Sequence, residues 1–245
     1  MTLSPLSIYA AGRRAVARFA VEARGTAVLE FALGSPLVLA IGLYGLEIAN
    51  QALTVMKINQ IALTLADNAS RVGFATSSTT VQLRELDIND VLQGARLQGA
   101  GIDLAKNGRV TVSSLEYVQQ SYDSSPIQRI HWQRCMGAKS GAEYESRYAT
   151  SKNAGTSADE AGKGTDVPLG VGSGTETINA PLRSGVMYVE LNYGYQPIFG
   201  DLMVKPRVIR QTASFIVRDK RDFAQVYNPI SSPSTPRATC DLHAP

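Results

Sequence analysis

Few residues in this chain have both the type and the setting to do chemistry. Glu30 lies inside an apolar run from Gly25 to Asn50, and a second acid, Glu47, stands near the end of that run. A carboxylate in hydrocarbon is expensive, about 2.5–3.5 kcal/mol at mid-membrane on the insertion scale, and tends to mark a functional position. The 2 cysteines are Cys135 and Cys240, and the 2 histidines are His131 and His243. His131 stands beside Trp132 in a strand-like stretch, where a lone histidine is more often structural or exposed than a ligand. The spacings of zinc proteases, redox dithiols, nucleophile elbows and phosphate loops are absent. Gly162-Lys163-Gly164-Thr165 lacks the upstream glycine of a phosphate loop. Asp159, Glu160, Asp166 and Glu176 lack the odd-position spacing of a calcium loop. No metal, no cofactor and no nucleophile with its base is expected, so the sequence points to a structural part rather than an enzyme.

Glu30 is positioned by what surrounds it. Phe31 to Leu46 is 16 residues without a charge, ~24 Å at helical rise, and interfacial residues on both sides extend it to a membrane span. Arg13, Arg14, Arg18 and Arg24 precede the run, and the next basic residues are Lys57 and Arg71. That asymmetry puts the N-terminus in the cytoplasm and everything beyond Asn50 outside. A secretory signal peptide is the alternative. Against it, the run is long for such a segment and no small-x-small cleavage site precedes a polar start.

A basic leader, Gly25, four residues, Glu30 and then an apolar helix resembles the processing site of type IV pilins. The continuation through Ser35-Pro36-Leu37 to Glu47, the helix Asn59 to Gly73, the string Trp132-Gln133-Arg134-Cys135, and the stretches Val189 to Phe199 and Thr212 to Arg218 resemble the TadE-like family of pilus-assembly proteins. The resemblance covers most of Arg24 to Arg218. It implies a minor pilin, or pseudopilin, of a Tad tight-adherence pilus. A prepilin peptidase would cut after Gly25, leaving Thr26 with the new amine and Glu30 as its partner during assembly. Other minor and major pilins, the inner-membrane assembly platform and membrane lipid are the implied partners. One departure is Phe31, where the major pilins of this system carry Tyr. The alternative is an uncleaved, membrane-anchored periplasmic adhesin or binding module that makes contact through its long polar loop.

Charge supports an anchor rather than a nucleic-acid binder. Lys and Arg number 24 against 21 Asp and Glu. Four Arg and one Glu belong to the leader, and the remainder carries 20 of each sign. The excess is a topology signal, not a basic surface. An oxidising periplasm favours a Cys135–Cys240 bridge; two free thiols, or one free thiol and one intermolecular crosslink, are the alternatives.

The expected fold is α+β: a long transmembrane and amphipathic helix packed on an antiparallel sheet, pilin-like, with the C-terminal domain in the periplasm. The leader occupies 1–25, the transmembrane helix 26–50, the periplasmic domain 51–228 and an extended proline-rich tail 229–245. The helix should run from Thr26 to about Phe74, kinked at Pro36. Ile58, Ile61, Leu65, Ala69 and Val72 form the stripe of its second half. A second helical region is expected from Val81 to Lys106, with Leu83, Leu86, Val91, Leu92, Ala95 and Leu97 inward and Asp87 or Asn89 as cap. Arg109–Gln119, Ile127–Cys135, Val186–Tyr195 and Val208–Arg218 read as strands. The segment 137–185 reads as a long polar loop.

Overall fold

The computed structural model describes residues 26–77, 80–173, 176–202, 204–229 and 234–243. The basic leader, with Gly25 at its end, lies outside them, as do parts of the tail. The chain divides into two compact units between Ala49 and Asn50.

Helix α1 is Thr26–Arg71, 46 residues, with Pro36 inside it. Its first part is apolar on every side: Val28, Phe31, Leu33, Leu37, Ile41 and Tyr44 are all exposed. An all-round apolar helix needs a bilayer or other helices around it, and this one is long and apolar enough to cross a membrane. Glu30 is exposed on it, and Glu47 is 0% exposed.

In the second unit α1 becomes one-sided. Ile58, Ile61, Ala62, Leu65, Ala66 and Ala69 are buried at three- and four-residue spacing. The helix ends where its last carbonyls lose their i+4 donors. Arg221 supplies them, donating to the carbonyls of Ala69 at 3.3 Å, Ser70 at 3.2 Å and Val72 at 2.8 Å. Two short strands follow, β1 (Phe74–Ser77) and β2 (Thr80–Gln82), paired antiparallel.

Helix α2 is Glu85–Gln98, so the second helical region starts four residues later than the pattern suggests. Arg84 is the N-cap residue, and Asp87, at the third position, accepts the Arg84 backbone N–H at 3.0 Å. Asp87 therefore closes the first turn from inside it rather than capping it. The later start also shifts the phase. Ile88, Leu92 and Ala95 face the core, while Leu86 and Leu97 are 39% and 68% exposed. A 3-10 turn (Ala100–Ile102) and the one-turn α3 (Leu104–Asn107) lead into the sheet.

The sheet has five strands in the order β5-β4-β3-β8-β9, all antiparallel. They are β3 (Gly108–Val118), β4 (Ile127–Met136), β5 (Thr165–Asp166), β8 (Ser184–Gly194) and β9 (Val208–Ile216). Outside this sheet, β6 (Val171–Ser173) and β7 (Glu176–Ile178) pair antiparallel with each other. Opposite Ser114 and Leu115, β4 carries one extra residue, His131: Trp132 pairs with Ser114 and Ile130 with Leu115. Such a bulge turns its flanking residues to opposite faces. Trp132 joins the helix-side core with Val110, Val112, Val189 and Leu191. Ile130 joins a second core with Leu115, Val186, Tyr188, Val171 and Ala180.

That second core is the main departure from the sequence reading. The segment 137–185 is not a free loop. It carries β5, β6, β7 and the start of β8, and its Val171 and Ala180 pack on the second face of the sheet. It approaches closely where it crosses β4: a Cβ on Gly155 (φ +71°) would stand 2.6 Å from Trp132 Cβ, and one on Gly164 (φ +79°) 2.1 Å from the Ile130 carbonyl oxygen.

The tail is tied down by a Cys135–Cys240 disulfide with Cα atoms 4.8 Å apart. Cys135 N–H donates to Ala238 O at 2.7 Å. The buried Arg109 guanidinium donates to the carbonyls of Gly137, Leu242 and Cys240. Arg134, also buried, makes a two-pronged pair with Glu85 at 2.9 and 2.5 Å. Arg237 of the tail reaches the same carboxylate at 3.3 Å.

Two outcomes follow for equilibrium unfolding of the full chain in detergent. Arg134→Met leaves the Glu85 charge poorly compensated in a buried site and should cost about 3–5 kcal/mol, much of it recovered when Glu85→Gln is added. Cys240→Ser opens a covalent loop spanning 105 residues, worth up to ~4.7 kcal/mol in the chain-entropy model.

Candidate functional site

The residues singled out from the sequence fall in different places. Gly25 lies outside the described residues. Thr26 opens α1, and Glu30 is exposed one turn later on an otherwise apolar surface. Cys135 and Cys240 belong to the second unit and are bonded to each other. The structure unites the two cysteines into one feature, and it places Thr26 and Glu30 in register on one helix, at the i and i+4 positions that share a face.

The polar side chains that sequence reasoning missed lie on the second face of the sheet. Gln128 Nε2 donates to Val167 O and Asn179 Oδ1, and its Oε1 accepts from Ala180 N–H at 2.8 Å. Gln133 Nε2 reaches Ser113 Oγ, Ser146 Oγ and Tyr148 O at 2.7–3.0 Å. Asn192 Nδ2 donates to Tyr144 O at 2.8 Å. Glu190 accepts from the Ser146 hydroxyl and from Arg147 N–H. Strand side chains thus complete the backbone bonding of the covering segment. The one signal in the sequence lay in β8, where Glu190 and Asn192 alternate with the apolar Val189, Leu191 and Tyr193; the glutamines of β4 stand among arginines and a histidine and carry no such pattern.

Between this segment and the outer strand lies a cleft of about 360 Å³, lined by Glu145, Arg147, Tyr148, Glu190, Arg210 and Thr212 among others. Burial pushes the Glu190 carboxyl above the usual carboxylate range, although Ser146 and Arg147 work against it. Burial also raises the Tyr188 phenol beside it. The outer edge of β9 pairs with no strand among the described residues. A second cleft of about 340 Å³ lies against the disulfide, with Thr111, Gln133, Lys152 and Asp241 in its walls.

The bulge produces a chain of polar groups on the opposite face. Ser114 Oγ donates to Glu116 Oε1 at 2.6 Å, and Glu116 Oε2 meets His131 Nδ1 at 2.9 Å. All three are buried. The order is wrong for nucleophile activation: the serine donates to the carboxylate, so the imidazole has no path to its proton. Among the described residues no cluster of three or more His, Cys, Asp or Glu could hold a metal ion.

Comparison of the chain with family models, with curated proteins and with solved structures finds no match.

The buried pair sets a pH dependence. Burial works against the charged imidazole of His131; the Glu116 carboxylate and the hydrogen bond to it work for it, and Arg129 opposes. The balance holds His131 above its ordinary value. An unfolded histidine titrates near ~6.5. The stabilisation is therefore fully present below that value and is lost as pH rises through the higher folded pKa. His131→Gln should flatten the stability–pH curve above ~6.5, read by denaturant midpoints across pH in the full chain. A slope unchanged by the substitution would assign the dependence to other groups.

Proposed function

We propose that this chain is a single-pass, membrane-anchored subunit of a surface filament, a minor pilin of the Tad type, whose second unit stands in the periplasm. The observation that carries this reading is the stretch of α1 from Thr26 to Ala49, long and apolar enough to span a membrane, with Val28, Phe31, Leu33, Leu37, Ile41 and Tyr44 exposed among the described residues and Glu30 as its exposed acidic interruption. An apolar helix of this kind has two uses, storage in a bilayer and packing into a bundle with its like. Glu30 favours both in sequence. At the cytoplasmic lip the carboxylate leans into water. In a bundle that route closes, and a charge without a partner is heavily penalised. The amine that cleavage after Gly25 would free on Thr26, from the same subunit or a neighbour, supplies the partner. Glu30 then sets the axial register as subunits dock.

Partners on this reading are other minor and major pilins, a prepilin peptidase, the inner-membrane assembly platform and the lipid itself. The polar clefts of the second unit favour a second reading, an uncleaved anchored adhesin or binding module. The mature N-terminus separates the two: mass spectrometry should find a chain beginning at Thr26 for the pilin and an intact Met1 for the anchored module. Glu30→Ala should leave membrane insertion intact, since removing an acid from an apolar segment lowers the insertion cost. Co-purification with partner pilins and filament output should fall together. Gly25→Leu should block trimming. A Glu30→Ala chain that assembles like wild type, alongside a Gly25→Leu chain that is still cut, would end the pilin reading.

A further inference from the structure

We infer that the outer edge of β9 is a docking site for an extended strand of a partner protein, one that carries acidic residues at its ends and adds itself to the five-stranded sheet. The inference concerns the second unit alone and does not depend on how α1 is anchored.

The backbone of this edge is available. β9 runs beside β8 without a break in register, from Val208 opposite Gly194 to Ile216 opposite Val186. Just beyond its two ends, Tyr195 N–H donates to Arg207 O and Val217 N–H donates to Gly185 O, each at 2.9 Å. Those bonds set the alternation. The odd-numbered residues of β9 bond to β8, and Val208, Arg210, Thr212, Ser214 and Ile216 turn their N–H and C=O groups away from it. No strand among the described residues meets them. Natural sheets protect such edges by shortening them, bulging them or placing proline and charge on them. The opposite edge follows that rule, since β5 is 2 residues long. β9 has 9 residues, Val-Ile-Arg-Gln-Thr-Ala-Ser-Phe-Ile, with no proline and Arg210 as its one charge. A long regular edge rich in β-branched residues is a template for an added strand.

Charge selects the partner. In β9 and the chain on either side of it, the exposed charges are Lys205, Arg207, Arg210, Arg218 and Lys220 against Asp201. Asp219 is half-buried and held by Arg221 at 3.3 Å. Along the chain the cations thus lie at both ends of the strand. The middle is of mixed sign. Arg210 donates to the carbonyl of Glu143, itself an exposed acid, at 3.2 Å. Arg210 and Thr212 line the cleft whose walls also carry Arg147, Glu145, Glu176 and Glu190. A strand with carboxylates at its ends and small hydroxyl side chains between them complements both regions. A second copy of β9 would set basic ends against basic ends, and like charges across a strand pair are destabilising.

The test uses the full chain in detergent and a synthetic peptide of alternating valine and threonine with paired glutamates at each end. Amide hydrogen exchange is read residue by residue by NMR. The peptide should slow exchange at Arg210, Thr212 and Ser214 and leave Gln211 and Ala213, which face β8, as they were. A lysine-ended peptide should bind about ten-fold more weakly, the loss of a few exposed ion pairs. Ser214→Pro removes an outward donor and none that β8 uses, a placement that edge strands tolerate, and it should abolish the slowing at Arg210 and Thr212. A glutamate peptide N-methylated along one edge should fail to bind the unaltered chain, which tests the pairing even where the proline variant does not fold. No slowing at Arg210, Thr212 and Ser214 would overturn the edge site. Equal binding of the glutamate and lysine peptides would overturn the acidic partner. Binding that survives N-methylation would be a charge contact without strand pairing, and slowing that follows protein concentration without peptide would make the partner a second copy. Either result overturns the proposal.

Discussion

One helix has to satisfy two surroundings, and the rest of the fold answers to that constraint. Up to Ala49 the surface of α1 is apolar on every side, which water does not tolerate over such a length. From Ile58 to Ala69 the apolar residues collapse to a stripe of Ile58, Ile61, Ala62, Leu65, Ala66 and Ala69, which a sheet can cover. The strands provide the matching face, Val110 and Val112 on β3 with Val189 and Leu191 on β8. Arg221 closes the helix end by occupying its last carbonyls. A sheet used in this way has a second face, and that face also has to be covered.

The covering segment is poor in apolar residues, so burial alone would hold it weakly. Its backbone groups must still find partners once they leave water. Gln128, Gln133, Glu190 and Asn192 provide them, each from an outward position on its strand. A small apolar centre of Leu115, Ile130, Val171 and Val186 fills what the polar contacts enclose. The same device explains the cost visible at Glu190, whose carboxyl is raised by burial: the position is kept for the bonds it makes to the loop, not for its own solvation.

The elements of strong period were legible in the sequence. The apolar helix, its stripe after Asn50 and the four long strands all follow from the spacing of apolar residues, and the five-stranded sheet adds only the two-residue β5. Three things were not legible, each for a physical reason. Alternation along β8 distinguishes two faces but not whether the one that carries Glu190 and Asn192 meets water or a loop. The start of α2 depends on Arg84 closing on Asp87, a local contact that the apolar pattern does not record. The bulge at His131 comes from a one-residue excess of β4 over β3, which only pairing reveals. Of the candidate site, the pairing of Cys135 with Cys240 was one of the expectations the sequence offered, and the two are bonded. The clefts were not, because their walls come from segments far apart in the chain.

That single extra residue has a wide effect. A shift of one position exchanges the faces of every later side chain in a strand. Arg129 and Arg134 are five apart in β4, an odd spacing that would set them on opposite faces of a regular strand. With His131 inserted they share the face that carries the helices, in register with Glu116 and Val112 on β3. Arg134 can then reach Glu85 at the start of α2, while Arg129 binds Asp123 in the turn before its own strand at 2.8 Å. A buried ion pair is often no more stabilising than apolar residues of the same volume; its advantage here is direction. The guanidinium fork accepts few geometries, so it fixes where the turn, the helix start and, through Arg237 on the same Glu85 carboxylate, the tail must lie. These segments have little apolar surface of their own. In this chain the arginines of β4 do for them what the valines and leucines of β3 and β8 do for α1.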